Sequence, residues 1–384
     1  MSYKDKMKIL FVPMDFSSNC IARTFLIAEM LTEDCETIFI GFSKGGIWTP
    51  LKDYFARVKY SIHYSRYATI NFVKNLKEML KEACLIEPDV IFAFKPCLSS
   101  YGQSLLYKEK LNVPLILDID DWELGFALDA GWKNFTSIFL NSIFEHLISF
   151  ADAITVSSFF LQKRFGGHYI PHAVDTNFYD PQKYDRETIR RELGISDEII
   201  ISFIGTPRKH KGIDMLVLAL HKLLKKKIAN FKLLFTGDPL DSYVNFLMKM
   251  SVNLLGKERV LFVGLRSRRE EPLLLAASDI IVLPQKITYA SYAQVPAKVF
   301  TAMSMEKTII ASAISDLPLI LKDCGLLIAP ESIGQLLKAI EFLLLHPDLM
   351  KKLGRRAREK CIRNYSYSVV KPQLKKLILN VSAR

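Results

Sequence analysis

The stretch Gly205-Thr-Pro-Arg208-Lys-His-Lys211-Gly212 sets two cations, Arg208 and Lys211, between glycines, directly after an apolar run and before a helical period. Backbone at the carboxyl end of a strand, carrying fixed positive charge, suits a diphosphate. Preorganised cations there stabilise the charge that builds as a phosphate group departs, which makes a bound metal unnecessary. The same residues also fit an ordinary basic turn closed by Gly212. A second stretch, 289–303, has Pro296 where a helix begins and Val299, Phe300 and Met303 on one apolar face. That pattern puts Ser291, Tyr292, Ala293 and Gln294 in a loop at a helix N-terminus, where free N–H groups and the dipole favour an anion. Lys298 adds charge and Thr301 a hydroxyl. The alternative there is a plain amphipathic helix with an exposed lysine.

Asp118-Ile-Asp120-Asp121-Trp122 ends another apolar run. An Asp-x-Asp at a strand end can hold a metal and a diphosphate, yet this one lies in the half of the chain that lacks the phosphate features. It reads instead as lining a ligand-facing edge, where one carboxylate, Asp120 by preference, orients a hydroxyl. A satisfied polar turn accounts for it equally. His172 is a candidate proton shuttle or a packing residue where the chain crosses between domains. Gly237 and Gly264 end strands, as tight turns require.

These residues need a scaffold of strands ending on one side. Short β-branched runs alternate with helical periods along the whole chain, the pattern of a parallel sheet with crossover helices. Expected strands cover 8–13, 37–41, 89–94, 114–118 and 153–156, then 199–204, 232–236, 260–263, 279–283, 308–311 and 325–328. A helix over 212–226 has Ile213, Leu216, Leu220, Leu223 and Leu224 on one face. The segment 168–193, with Pro171, Pro181 and a charged run, separates the two series. It predicts an α/β protein of two Rossmann-like domains: 1–171, joined by a terminal helix over 366–384, and 172–365. Such a pair leaves a cleft at the carboxyl ends of two sheets. The apolar stripe along 132–150 reads as a helix covering a sheet, or as a patch that docks on a membrane.

Composition narrows the classes further. Half of the 384 residues are apolar, which excludes disorder, and no apolar run is long enough to span a membrane. The six scattered cysteines form no C-x-x-C pair, and the seven histidines show no zinc spacing, as expected of a cytoplasmic protein with reduced thiols. The net charge of +12 sits almost entirely in residues 350–384, with 11 Lys and Arg against one Glu. No nucleic-acid-binding module is recognisable, so the basic tail suits an anionic membrane surface or a solvated helix face. No G-x-G-x-x-G is present, which disfavours a dehydrogenase.

Five segments in consistent order resemble retaining glycosyltransferases of family 4: Asp89-Val-Ile-Phe-Ala-Phe-Lys95-Pro96; Ala151 to Ser158 with Tyr169 to Asp175; Phe203 to Gly212; Ser278 to Pro284; and Gln294 to Met303. The resemblance implies the GT-B fold and transfer of a sugar from a nucleotide-sugar donor to a glycan or lipid-linked acceptor, with retention and with neither metal nor cofactor. It implies a donor held by Gly205, Arg208, Lys211 and the 291–298 loop, with Gly237 and Gly264 near the base. The acceptor would enter near residues 15–19, Lys95 and 118–121. Family members commonly carry two glutamates seven residues apart in the fifth segment; Ala293 and Thr301 stand there, and Thr301 would offer its hydroxyl to ribose instead. The arginine usually found after the third segment's glycine is Thr206. A sugar-nucleotide epimerase or a non-catalytic glycan-binding scaffold of the same fold are the alternatives.

Overall fold

The computed structural model describes residues 6–64 and 70–383. They form two units: residues 1–172 with 367–384, and residues 173–366. In the first, β1 (Lys8–Val12), β2 (Glu36–Ser43), β3 (Lys59–Tyr64), β4 (Val90–Phe94), β5 (Leu115–Ile119), β6 (Ala153–Val156) and β7 (His168–Tyr169) make one sheet in the order β3-β2-β1-β4-β5-β6-β7. Every pairing is parallel. The central strands are apolar on both faces because helices cover both faces. Phe11, Phe39 and Phe92 share one register across β1, β2 and β4, and their rings stack at 5.3 and 5.7 Å.

The second unit repeats the plan with β8 (Ile199–Phe203), β9 (Phe231–Phe235), β10 (Val260–Phe262), β11 (Ile280–Leu283), β12 (Thr308–Ser312) and β13 (Leu326–Ile328), in the order β10-β9-β8-β11-β12-β13. Two apolar clusters fill its two sheet faces, one around Leu283, Val299 and Phe300, the other around Leu216, Leu233 and Ile340. In both sheets the strand order reverses at the first strand, β1 or β8. The loops leaving β1 and β4, and those leaving β8 and β11, therefore diverge at the switch point where such sheets receive ligands.

Two expectations about surfaces need correcting. Residues 132–150 are not one helix covering a sheet. A turn at Trp132–Asn134, a helix at Phe135–His146 and a turn at Leu147–Phe150 follow each other. Their stripe faces outward, with Trp132 83 % and Phe135 60 % exposed and Phe139, Ile143 and Phe150 also exposed. The smaller face, with Phe144, is the buried one. Nor does the basic tail form one free surface. Helix Tyr367–Ser382 buries Val370, Leu374, Leu377 and Ile378 within the first unit, while Val369 is only half-buried. Lys371 and Lys375 pair with Glu33 and Asp34 at 2.7 to 2.9 Å. Arg358, in the other unit, pairs with Asp180 at 3.1 Å and donates to the carbonyls of Tyr179 and Ser304.

Candidate functional site

In the second unit, the loop leaving β8 is pinned from three sides. The Gly205 amide donates to Thr236 Oγ1 at 2.8 Å, and Thr236 Oγ1 stands equally near the Gly205 carbonyl. Lys286 N–H donates to the His210 carbonyl at 2.7 Å, tying the loop to the exit of β11. Gly212, at φ +69°, lies so near Pro284 that a Cβ would collide with the Pro284 carbonyl oxygen. On this frame Arg208 is exposed and Lys211 half-buried. Arg208 Nη1 lies 3.1 Å from Asp241 Oδ2; the other oxygen of Asp241 caps helix Ser242–Leu255 by accepting from Tyr243 and Val244 N–H. At the neighbouring turns, Gly237 N–H donates to the Gly264 carbonyl at 3.1 Å.

Beside Gly205 lies the stem of Lys298, whose Cγ is 3.6 Å from where a Cβ on Gly205 would stand. Lys298 Nζ pairs with Glu271 Oε2 at 2.6 Å. The same carboxylate accepts from Tyr179 OH at 3.1 Å and from Thr301 Oγ1 at 3.0 Å. Burial pushes the Glu271 pKa up, but the Lys298 ammonium and the hydroxyls of Thr301 and Tyr179 outweigh it and hold the carboxyl below its usual range.

The first unit gathers charge at the ends of β4 and β5. Lys95, in left-handed backbone at φ +74°, reaches Asp121 Oδ2 and Glu123 Oε1 at 2.6 Å each and Asp120 Oδ1 at 3.2 Å. Burial would strip its proton; the three carboxylates outweigh burial and keep it charged. Asp120 is itself buried, and that burial, opposed by Lys95 and reinforced by Asp121 and Asp118, raises its carboxyl to about 7. Asp118 is different. It is fully buried and held by Arg23 Nε and Nη2 at 3.1 and 3.0 Å and by Thr155 Oγ1 at 2.7 Å. Arg23 also donates to the carbonyls of Ile170 and Pro171. In the loop after β1, Asp15 Oδ1 accepts from Ser17 N–H and Oγ.

Residues 185–360 match the family of glycosyl transferases, group 1. That match covers 176 of the 384 residues, just under half of the chain. It is 20 % identical over 211 residues to an alpha-D-kanosaminyltransferase from Streptomyces kanamyceticus, a stretch covering 54 % of this chain and 52 % of that one. The chain spans about half the length of these curated relatives. Two solved structures show the fold. Sucrose-phosphate synthase from Thermosynechococcus elongatus superposes with a TM-score of 0.76 at 18 % identity, over 99 % of this chain and 100 % of that one. Anabaena Alr3699/HepE in complex with UDP and glucose gives 0.76 at 16 % identity, over 97 % and 99 %. The fold is GT-B.

On this scaffold the expected residues part company. Gly205 and Lys298 come together beside the β8 loop that carries Arg208 and Lys211, and Gly237 meets Gly264. Ser291 does not face a ligand. Residues Tyr289–Ala293 are a short helix rather than a loop, and Ser291 is the fully buried half of its capping box, exchanging hydrogen bonds with Thr288 and donating to the Lys286 carbonyl. The N–H groups expected to hold an anion are used in that turn: Gln294 N–H donates to the Ala290 carbonyl and Tyr292 N–H points at that of Thr288. Tyr292 is exposed and Gln294 half-buried. Lys298 is not a free cation and Thr301 not a free hydroxyl, since both meet Glu271. Asp118 does not line an open edge; it locks Arg23. His172 is buried, and burial, with Arg23 nearby, lowers its pKa to about 3. Burial therefore disfavours its charged form. Sequence reasoning missed Glu271. It closes the charged run from Arg266, which reads as solvated surface.

Proposed function

We propose that the chain moves a sugar from a nucleoside-diphosphate donor to a hydroxyl of a glycan or lipid-linked acceptor, in the cytoplasm, with retention and without metal. The observation that carries this reading is the β8 loop, which presents Arg208 and Lys211 from a rigid frame at the switch point of a group 1 domain. In the reaction the bond from the anomeric carbon to the diphosphate breaks and one to the acceptor oxygen forms. Arg208 and Lys211 meet the negative charge that accumulates on the diphosphate. Asp120, a buried carboxyl with a pKa near 7, orients the acceptor hydroxyl on the first unit. A donor of this class is in keeping with the HepE neighbour, crystallised with UDP and glucose. Retention rests on the family resemblance, and the six free thiols suit a reducing compartment. The test is a thermal-shift screen of UDP-, GDP- and ADP-sugars, since a ligand that binds only the folded state raises its melting temperature. Arg208→Ala and Lys211→Ala should each lower turnover on the order of a hundredfold or more, with melting unchanged. Wild-type turnover in both would remove the site.

The lipid-linked class of acceptor draws support from the outward stripe of Trp132, Phe135, Phe139 and Ile143. An aromatic helix face of this kind is suited to a membrane interface. No described helix is long and apolar enough to cross a membrane. Co-sedimentation with vesicles should persist in moderate salt and fall with Phe135→Ser/Phe139→Ser. Binding that instead vanishes with salt alone would assign it to exposed basic residues such as Lys351, Lys352, Arg355 and Arg356.

A further inference from the structure

The first sheet is incomplete at one corner. β7 pairs with β6 only through Thr155↔His168 and Val156↔Tyr169, so Ala153 and Ile154, the first half of β6, have no described strand beyond them. The terminal helix Tyr367–Ser382 runs past this gap and leaves a recess of about 390 Å³. Ile148, Ile154, Leu377 and Val381 wall it, and Ala151 and Ala153 between them are too small to fill it. That volume falls within the range of small-molecule sites, roughly 300–1,000 Å³. The one carboxylate in the lining is already spent: Asp152 pairs with Lys108 at 2.8 Å and accepts from Leu115 N–H at 2.7 Å. All these residues belong to the first unit. They lie where β6 and β7 begin, whereas Lys95 and Asp120 follow the ends of β4 and β5. In a parallel sheet those are opposite edges, so the recess is separate from the proposed acceptor site.

Asn380 lines both this recess and a shallow trough along the terminal helix, whose other residues include Pro372, Lys376 and Leu379. Pro372, Lys376 and Asn380 are four residues apart and so form one row on the helix. Lys376 therefore stands about 6 Å along the axis from Asn380. The neighbouring Lys371 and Lys375 are held by Glu33 and Asp34. Lys376 is exposed and has no ion pair among the described residues. On its other side the recess adjoins the outward stripe, since Ile148 belongs to the turn Leu147–Phe150. An apolar recess with one uncommitted cation a helical turn from its edge is complementary to a chain that is apolar along its length and anionic at one end. We propose that this recess binds a single alkyl chain with an anionic head, an amphiphile of the fatty-acid class. The chain lies against Ile154, Leu377 and Val381, and the head meets Lys376.

A ligand that binds only the folded state raises its melting temperature. The experiment is thermal shift and calorimetry of the full chain with sodium octanoate, sodium decanoate and decanol. Burying a methylene is worth about fourfold in affinity, so decanoate should bind about fifteenfold tighter than octanoate. The carboxylate should favour decanoate over decanol by about two- to fivefold, the range for an exposed ion pair. Lys376→Gln should remove that margin and keep the dependence on chain length. Ala153→Phe fills the recess and should abolish binding. Ser149→Trp, at an exposed position in the lining, should weaken it without touching the core, so the test stands even where Ala153→Phe folds poorly. A parallel arm presents oleate in phosphatidylcholine vesicles. Transfer of oleate to the protein would make a bilayer the source of the chain, and binding of the soluble chain alone would make it a free fatty acid; both support the site. Equal affinity for octanoate and decanoate would overturn the proposal. So would binding unchanged in both Ala153→Phe and Ser149→Trp, or a melting temperature that only falls as decanoate is added.

Discussion

Replacing Gly212 by alanine should damage the β8 loop, and the size of the effect follows from two separable terms. The first is conformational. At φ +69° a residue with a Cβ carries a left-handed penalty of roughly 1–2 kcal/mol. The second is steric. The new Cβ would run into the Pro284 carbonyl oxygen, a backbone atom at the end of β11 that cannot swing aside, and such overpacking costs roughly 1–3 kcal/mol. The sum is roughly 2–5 kcal/mol. Gly264→Ala is the control. Its φ of +71° is nearly the same, but a Cβ there meets nothing within 4 Å, so it carries the first term alone. In a unit the size of residues 173–366, each kcal/mol lowers the melting temperature by about 2–4 °C. Gly212→Ala should thus melt roughly 10 °C lower and Gly264→Ala roughly 4 °C lower. Nucleotide binding should weaken in the first, because relieving the clash moves Arg208 and Lys211. Equal losses in the two variants would refute the proposed contact between the loop and β11.

The Asp120 carboxyl is raised by burial to about 7 against about 3.9 in an unfolded chain. Its contribution to stability is then full below the unfolded value and is lost as pH rises through 7. Asp120→Asn should come closest to wild type near pH 4 and gain on it by pH 8 in denaturation midpoints; a gap that does not change with pH would contradict the assignment. Arg23→Ala leaves the buried Asp118 carboxylate without its main partner and should cost about 3–5 kcal/mol, measured by urea unfolding, and a loss under 1 kcal/mol would speak against that pairing. Excess chelator should leave turnover unchanged, since the site reading assigns the diphosphate to protein cations; loss restored by Mn²⁺ would reassign it.

The strands that were legible are those buried on both faces, where apolar runs such as Ile280–Leu283 and Val90–Phe94 have no polar alternative. Two strands were missed for opposite reasons. β3 (Lys59–Tyr64) is a largely exposed edge of mixed residues, and β7 pairs over only two residues. The β8 loop was legible because glycine and charge spacing are local. Glu271 was not, because its burial is made by Tyr179, 92 positions earlier, and Lys298, 27 positions later. Ser291 misled for the reverse reason: a small polar residue near a helix start can serve a ligand or the helix itself, and the Thr288 that claims it is three residues away. The stripe over 132–150 shows an apolar face but not what covers it.

The helix Tyr367–Ser382 belongs to the first unit, though 194 residues of the second lie between it and the rest of that unit. On the ribosome the second unit is contiguous and can close as soon as residue 366 has emerged. The first must wait, its seat for Val370, Leu374, Leu377 and Ile378 open to water, until the whole second unit has been made. At about 5–20 residues per second, that is roughly ten to forty seconds of exposed apolar surface. The acidic pair Glu33 and Asp34, which later receives Lys371 and Lys375, lies beside that seat and keeps part of the waiting surface charged. A chain stopped short of residue 367 would keep that apolar seat open to water.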